Sequence, residues 1–290
     1  LSDGIYNYEY DDEGNLIRQI DVATGDIQEF EWDYRNRLVV VVTKNSMGIE
    51  IQRVVFVYDA FDRRISKAVG SMRQDATANE MTHFVYDGDD VFLDFVDADG
   101  IGEIEHLLAQ RYLHGPAIDQ ILAQESNSEE VLWHLSDHLG SIRDLANEKG
   151  FIANHLTYDS FGTVVSESDE SINTRYLFTG REFSQELDLY HNRARFYNSK
   201  SGRFISEDPL RGNSNSVNFY QYVDNSPLIF GDPTGELKVG YSRYIGLGFG
   251  IEVNFASNGT QICIENGLGG GDGASIYPRD TKILDDDASI

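Results

Sequence analysis

Tyr10-Asp11-Asp12-Glu13-Gly14-Asn15-Leu16 sets an aromatic residue and an aspartate before a turn, and an apolar residue after it. The pattern returns as Trp32-Asp33 with Asn36-Arg37-Leu38, then as Tyr58-Asp59 with Asp62-Arg63-Arg64-Ile65, then as Tyr86-Asp87-Gly88. A late copy reads Tyr158-Asp159-Ser160-Phe161-Gly162, and the first three intervals are 22, 26 and 28 residues. As a physical unit, the aromatic packs inward from a strand while the aspartate caps the following turn through backbone N–H groups. One such hairpin cannot bury its own face, so neighbours must stack edge to edge.

The sequence between the copies agrees. Leu38–Thr43, Val54–Tyr58 and Phe84–Tyr86 are short runs rich in β-branched and aromatic residues, separated by turns at Asp12–Asn15, Thr24–Asp26 and Asp97–Gly100. Helical periodicity is scarce, so the fold class is mainly β and antiparallel. With 40% hydrophobic and 12% aromatic residues in 290, the chain can bury a sizeable core. A net charge of −26 speaks against a nucleic-acid partner and against docking on an anionic membrane. No run of 18 apolar residues occurs, so no membrane-spanning helix is expected. Leu1, followed at once by repeat sequence, is what a piece of a longer chain would show. Charge is uneven: residues 84–175 hold 19 acids against 4 bases, and residues 176–240 hold 8 against 7. That shift puts a boundary near 171–176, and the glycine-rich sequence after Gly235 marks another. The expected parts are repeats and linking strands over 1–170, a core over 171–236 and a variable tail over 237–290.

The repeats resemble the YD, or RHS, repeats of large bacterial surface proteins and polymorphic toxins, of toxin-complex C subunits and of teneurins. The likeness is more specific in Tyr176-Leu-Phe-Thr-Gly-Arg-Glu182, Leu189-Tyr-His-Asn-Arg-Ala-Arg-Phe-Tyr197, Gly202-Arg-Phe-Ile-Ser-Glu-Asp-Pro209, Asn218-Phe-Tyr-Gln-Tyr-Val-Asp-Asn-Ser-Pro227 and Asp232-Pro-Thr-Gly235. In order and spacing these resemble the RHS repeat-associated core domain, and Ser136-Asp-His-Leu-Gly-Ser-Ile-Arg143 fits the same family. The resemblance spans residues 6–236. It implies a hairpin ribbon spiralling into a hollow shell, with an inward-turning core plug at one end and a variable segment beyond. Four or five repeats are too few to close a shell, so the implied partner is the remainder of a longer chain, in a secreted or cell-surface, cell-wall-associated bacterial protein. A toxin tail would add an immunity protein; a cell-surface protein or glycan is the other implied partner.

Asp208, Asp232 and Arg195 carry the sharpest chemistry. Two carboxylates close together in a poorly hydrated site do not both ionise readily, so one can act as acid while the other activates water. A nearby arginine could hold and orient the ionised member. Self-cleaving family members resemble this arrangement, with an Arg in the Arg-Ala-Arg segment and one Asp in each Asp-Pro pair. The implied activity is autocatalytic aspartyl endopeptidase, with no other enzymatic activity expected. The family pattern is Pro, four residues, then Asp-Pro-x-Gly-Leu, cut after Leu. Here Pro227 through Gly235 match, but Glu236 comes next and Leu237 follows, which places the cut at Glu236–Leu237 or Leu237–Lys238. On the plain structural reading, both Asp-Pro pairs are turn openers, Gly202, Gly212 and Gly235 are turn glycines, and Arg195 pairs with local acids.

Other chemistry is weakly signalled. His134 and His138 flank Asp137 in an element better suited to a polar turn than to a metal, and no metal or cofactor is expected. The acidic turns Asp87–Asp90 and Asp97–Asp99 lack calcium-loop spacing. Cys263 reads as a small strand residue. In the tail, Val239–Ile245, Phe249–Phe255 and Thr260–Glu265 read as two or three short strands with Asn258-Gly259 as a hairpin turn, and Gly267–Gly273 as a flexible loop. The leading function is therefore a shell and plug presenting a variable segment. The alternative is a cell-surface adhesion or carbohydrate-binding scaffold without catalysis.

Overall fold

Asp11, Asp33, Asp59, Asp137 and Asp159 all make the same turn. In each, Oδ1 accepts the N–H of the residue four places on, at 2.7 to 3.0 Å. The residue three places on lies in the left-handed region: Gly14, Asn36, Asp62, Gly140 and Gly162 have φ between 57° and 92°. Asn45 and Asn147 build the same turn, ending at Gly48 and Gly150. The Tyr86 copy closes more tightly, with Asp87 paired to Asp90 across Gly88-Asp89.

The computed structural model describes residues 1–70, 80–97, 107–210, 218–244, 247–256, 259–268 and 271–278, with side chains described through Glu236 in those ranges. The turns link β1 (Tyr6–Tyr10), β2 (Leu16–Asp21), β3 (Ile27–Trp32), β4 (Leu38–Lys44), β5 (Glu50–Tyr58), β6 (Arg64–Gly70), β7 (Glu80–Asp87), β8 (Asp90–Asp97), β9 (Leu107–His114), β10 (Ile121–Ser126), β11 (Val131–Ser136), β12 (Ile142–Asn147), β13 (Ile152–Tyr158) and β14 (Val164–Glu167). They form one antiparallel sheet in sequence order, open, with β1 and β14 at its edges.

The register slips immediately before each repeat aromatic, at Glu9/Tyr10, Glu31/Trp32, Val57/Tyr58, Val85/Tyr86 and Thr157/Tyr158. A bulge bends its strand and increases the local twist. Repeating it at one point of successive hairpins bends the ribbon the same way each time, into a partial shell. The aromatics also fasten neighbours together. Trp32 Nε1 donates to the Leu16 carbonyl at 2.8 Å, Tyr58 OH to Leu38 at 2.8 Å, Tyr86 OH to Arg64 at 2.8 Å and Tyr158 OH to Ile142 at 2.7 Å. Each acceptor is the first residue of the preceding strand. Tyr58→Phe should therefore cost about 1 kcal/mol, the usual net worth of a hydrogen bond. It should lower the urea midpoint, while Tyr34→Phe, at a side chain 92% exposed, should leave it unchanged.

In a meander, alternate turns lie at opposite ends of the sheet, so the aromatic-Asp turns all share one end. The segment after β14 packs against that end at the first and last of these turns. Its strands β15 (Glu182–Ser184), β16 (Leu189–Asn192), β17 (Arg195–Asn198) and β18 (Arg203–Phe204) make a second antiparallel sheet. Tyrosines from this plug donate to turn carbonyls: Tyr190 to Gly162 at 2.7 Å, Tyr197 to Phe161 at 2.8 Å and Tyr220 to Gly14 at 2.7 Å. At Gly162 a Cβ would sit 2.4 Å from the Phe178 ring, so the close seating of plug on turn requires glycine there.

Both hydrophobic clusters are shared between shell and plug. One joins Phe84, Tyr112, Ile142 and Leu145 to Phe178, Tyr190, Tyr197 and Tyr222. The other joins Leu16, Leu38, Val54 and Phe56 to Leu189, Phe196 and Ile205. Charge pairs, most of them buried, cross the same boundary. Glu182 bridges Arg64 at 2.7 Å and Arg175 at 3.5 Å; Arg175 reaches Asp94 at 3.0 Å. Arg181 reaches Asp119 at 2.5 Å, and Arg193 pairs with Asp119 at 2.9 Å and with Asp90 at 3.2 Å.

The chain continues through β19 (Phe230–Gly231) into β20 (Leu237–Tyr244), β21 (Leu247–Ala256), β22 (Gly259–Leu268) and β23 (Gly271–Pro278). The two or three short strands expected in the tail are three, β20 to β22, each longer than its expected stretch. The expected glycine loop is corrected at its two ends: Gly267 and Leu268 belong to β22, and Gly271–Gly273 open β23, which finds a partner in β20, while 269 and 270 lie outside the described residues. Cys263 falls on β22, where side chains lie outside the described residues. Gly212, Ala98–Gly100 and Asn258 lie outside them entirely.

Candidate active site

Arg195 opens β17 after a tight turn, with Arg193 at φ 50°, and its side chain runs into the protein interior, 1% exposed. The guanidinium carbon Cζ sits over Phe204, 3.6 Å from the ring centroid, a favourable contact for a cation short of water. Its Nε donates to the Gly235 carbonyl and its Nη1 to the Phe219 carbonyl at 3.1 Å. Its Nη2 is 3.5 Å from Asp208 Oδ2 and also 3.5 Å from Asp232 Oδ2. Twice that reach caps the separation of the two carboxylate oxygens at about 7 Å. Asp208 is 2% exposed and Asp232 1%.

Each carboxylate divides its oxygens between two tasks. Asp208 Oδ1 accepts the Leu210 N–H at 2.9 Å across Pro209. Asp232 Oδ1 accepts the N–H of Gly235 at 2.8 Å and that of Glu236 at 3.1 Å across Pro233. Both Asp-Pro pairs thus open turns, while both Oδ2 atoms turn to the arginine. The turn reading and the cluster reading hold together.

The Asp232 turn is pinned from behind. Asn192 Nδ2 donates to the Asp232 carbonyl at 2.5 Å, Arg193 Nη1 to that of Pro233 at 2.5 Å, and the Ala194 N–H to that of Thr234 at 3.0 Å. Gly235 has φ 77°, and a Cβ there would lie 2.5 Å from the Asn192 carbonyl oxygen, so only glycine lets the turn close against β17. Glu236 is half-buried at the turn's end, and Leu237 begins β20. Burial pushes the Glu236 carboxyl above its usual range, and the charges of Asp208 and Asp232 add to that against the pull of Arg195.

Sequence reasoning brought Arg195, Asp208 and Asp232 forward, and the fold gathers them. It missed the backing from Asn192 and Arg193, which follows from the pairing of β16 with β17 through Asn192↔Arg195. His134 and His138 take separate roles: His134 Nε2 lies 2.9 Å from Thr174 Oγ1, and His138 Nε2 lies 3.3 Å from the Leu228 carbonyl. Among the described residues, no three His, Cys, Asp or Glu side chains are grouped so as to hold a metal ion.

Residues 117–228 match the family model Teneurin YD-shell. The chain is 28% identical over 228 residues to the tRNA nuclease WapA of Bacillus subtilis (strain 168), covering 75% of this chain and 9% of that protein. It is 29% identical over 249 residues to the probable deoxyribonuclease RhsA of Dickeya dadantii, covering 80% of this chain and 15% of the relative. It is 28% identical over 247 residues to the toxin protein Tse5 of Pseudomonas aeruginosa, covering 79% of this chain and 18% of the relative. Among solved structures, TcdB2-TccC3 superimposes with a TM-score of 0.56 at 18% identity, over 79% of this chain and 13% of that one. The chain therefore spans less than a fifth of the length of these relatives. No helix among the described residues is long and apolar enough to cross a membrane.

Proposed function

Because the chain is an RHS/YD-repeat protein with a shell domain of the polymorphic-toxin type, we propose that it forms the end of a β shell, closes it with a plug and cuts its own chain at the plug's exit. On this reading residues 1–170 supply the repeats, 171–236 the core and 237–290 the variable tail of a longer secreted or cell-surface protein. A tail that is toxic would call for an immunity protein as partner.

The observation that carries self-cleavage is the buried Arg195 shared equally by Asp208 and Asp232, one turn before Leu237. Hydrogen bonds to a carboxylate favour its ionised form. Asp232 Oδ1 accepts two backbone N–H groups and Asp208 Oδ1 accepts one. Asp232 is accordingly the base and Asp208 the acid. Asp232 takes a proton from water as its oxygen joins the scissile carbonyl carbon; Asp208 gives a proton to the leaving nitrogen as the C–N bond breaks. The products are a carboxylate at Glu236, or at Leu237, and a free amine on the next residue.

The cut would not by itself free the tail. β20 pairs with β19 through Phe230↔Gly240 and Gly231↔Val239, and β19 lies upstream of the bond. The purified chain should therefore run as one species under native conditions and separate in denaturant. Mass spectrometry should then give a smaller piece running from Leu237 or Lys238 to Ile290. A single full-length polypeptide in denaturant would reduce Asp208 and Asp232 to turn caps.

A further inference from the structure

Four consecutive residues of the plug, Asn192 to Arg195, donate in order to four consecutive carbonyls, Asp232 to Gly235. The turn that presents Asp232 and leads to the proposed cut hangs on this one hairpin end. Arg193 ties it to the shell as well. Its Nη1 holds the Pro233 carbonyl at 2.5 Å, while its Nη2 is 2.9 Å from Asp119 Oδ1 and 3.2 Å from Asp90 Oδ1. Asp90 opens β8 and Asp119 lies between β9 and β10, in two turns at the same end of the sheet. Asp119 is itself fixed in place. It is buried, its Oδ1 also accepts from Arg181 Nη1 at 2.5 Å, and its carbonyl leaves no room for a Cβ on Gly180 of the plug. A guanidinium is a rigid planar fork, so seating Nη2 on the two acids sets the direction in which Nη1 points.

We propose that Asp119 and Arg193 are positioning residues that make self-cleavage conditional on the plug being seated on the shell. The inference rests on the self-cleavage reading and concerns its regulation. With plug and shell together, the two acids aim Arg193 at Pro233, and the turn is held with Asp232 Oδ2 toward Arg195. With them apart, Arg193 loses both acids, its head turns to water, and the Pro233 carbonyl loses its donor. The turn beside Asp232 can then shift, and a misplacement of about 1 Å costs on the order of 10²-fold in rate. A plug that has not met its shell keeps its chain whole. Neither residue touches the reacting atoms; both act through the Pro233 carbonyl.

The test follows self-cleavage of the full chain, quenched in denaturant, beside urea unfolding. Arg193→Lys keeps a cation for Asp119 but has no fork to span the acids and the carbonyl. The Arg193 side chain is 25% exposed, so the change leaves the core intact. It should slow cleavage by about 10²-fold with the urea midpoint little changed. Asp119→Asn, followed well below its own midpoint, should slow it comparably. The double variant should be no slower than the slower single, as expected of residues acting through one contact. Tyr58→Phe, which weakens the shell away from this contact, should cleave at the parent's rate. Parent-like cleavage in either single variant, multiplied losses in the double variant, or an equal loss in Tyr58→Phe would overturn the relay while leaving the pair intact. Absence of cleavage in the unmutated chain would overturn both proposals.

Discussion

Asp208→Asn should slow self-cleavage by at least ~10²-fold, the lower end of what a positioned general acid contributes. The substitution is close to isosteric. An asparagine Oδ1 can still accept the Leu210 N–H, so the Asp-Pro turn survives. What disappears is the acidic proton opposite Asp232, carried by the group whose Oδ2 faces Arg195 Nη2. A purely structural Asp208 would give a variant that behaves as the parent does. Denaturant unfolding alongside the rate separates the two cases: an unchanged midpoint with lost cleavage locates the defect in the chemistry. Asp232→Asn should also stop cleavage, but through loss of the base and with a weaker turn, since Oδ1 there holds two N–H groups.

Glu182→Gln should destabilise the chain by about 3–5 kcal/mol, the cost of removing one partner from a buried ion pair. Glu182 stands between Arg64 of the shell and Arg175, and its side chain is 8% exposed against 3% for Arg64. Burial pushes its carboxyl up, but the two guanidinium groups prevail and hold it well below the usual carboxylate range. Without the charge, Arg64 is left buried over Phe56 and Phe84 with its main counter-charge gone. Replacing both partners, as Arg64→Met with Glu182→Leu, should recover most of the loss, because two desolvated charges are then removed together. The same pair sets an acid limit. A depressed folded value means that Glu182 stabilises the fold fully above the ordinary carboxyl range. That contribution then fades as pH falls through the depressed value. Asp94 opposes this, since burial raises it despite Arg175 and Tyr112. The acid-induced loss of midpoint should accordingly shrink in Glu182→Gln.

The repeat turns were legible because everything they need is local. An aromatic, an acceptor side chain and a left-handed residue three places on fall within five residues, and Asp11, Asp33, Asp59 and Asp159 follow that rule. Asn45 and Asn147 went unread because no aromatic precedes them; the Asn-x-x-Gly spacing alone would have found both. The bulge before each aromatic leaves no compositional trace, since it is a property of two strands and not of one. The shell-to-plug lock was out of reach for the same reason: Arg64 and Glu182 are 118 residues apart, and nothing near either announces the other. Arg195, Asp208 and Asp232 were nameable only because their neighbours form recognisable runs. Their separation and their shared nitrogen are products of the fold. The tail was read least well, because a run such as Gly271-Asp-Gly273 has no strand signature until β20 offers it a partner.

The most direct measurement is to let the purified full chain react in water enriched in heavy oxygen, at several protein concentrations, while following intact masses in denaturant. The expected result is first-order conversion at a rate independent of concentration, with one heavy oxygen on the larger piece at Glu236 or Leu237. A single unlabelled full-length mass at every time, or a rate that rises with protein concentration, would contradict a buried arginine-linked carboxylate pair that cuts its own chain.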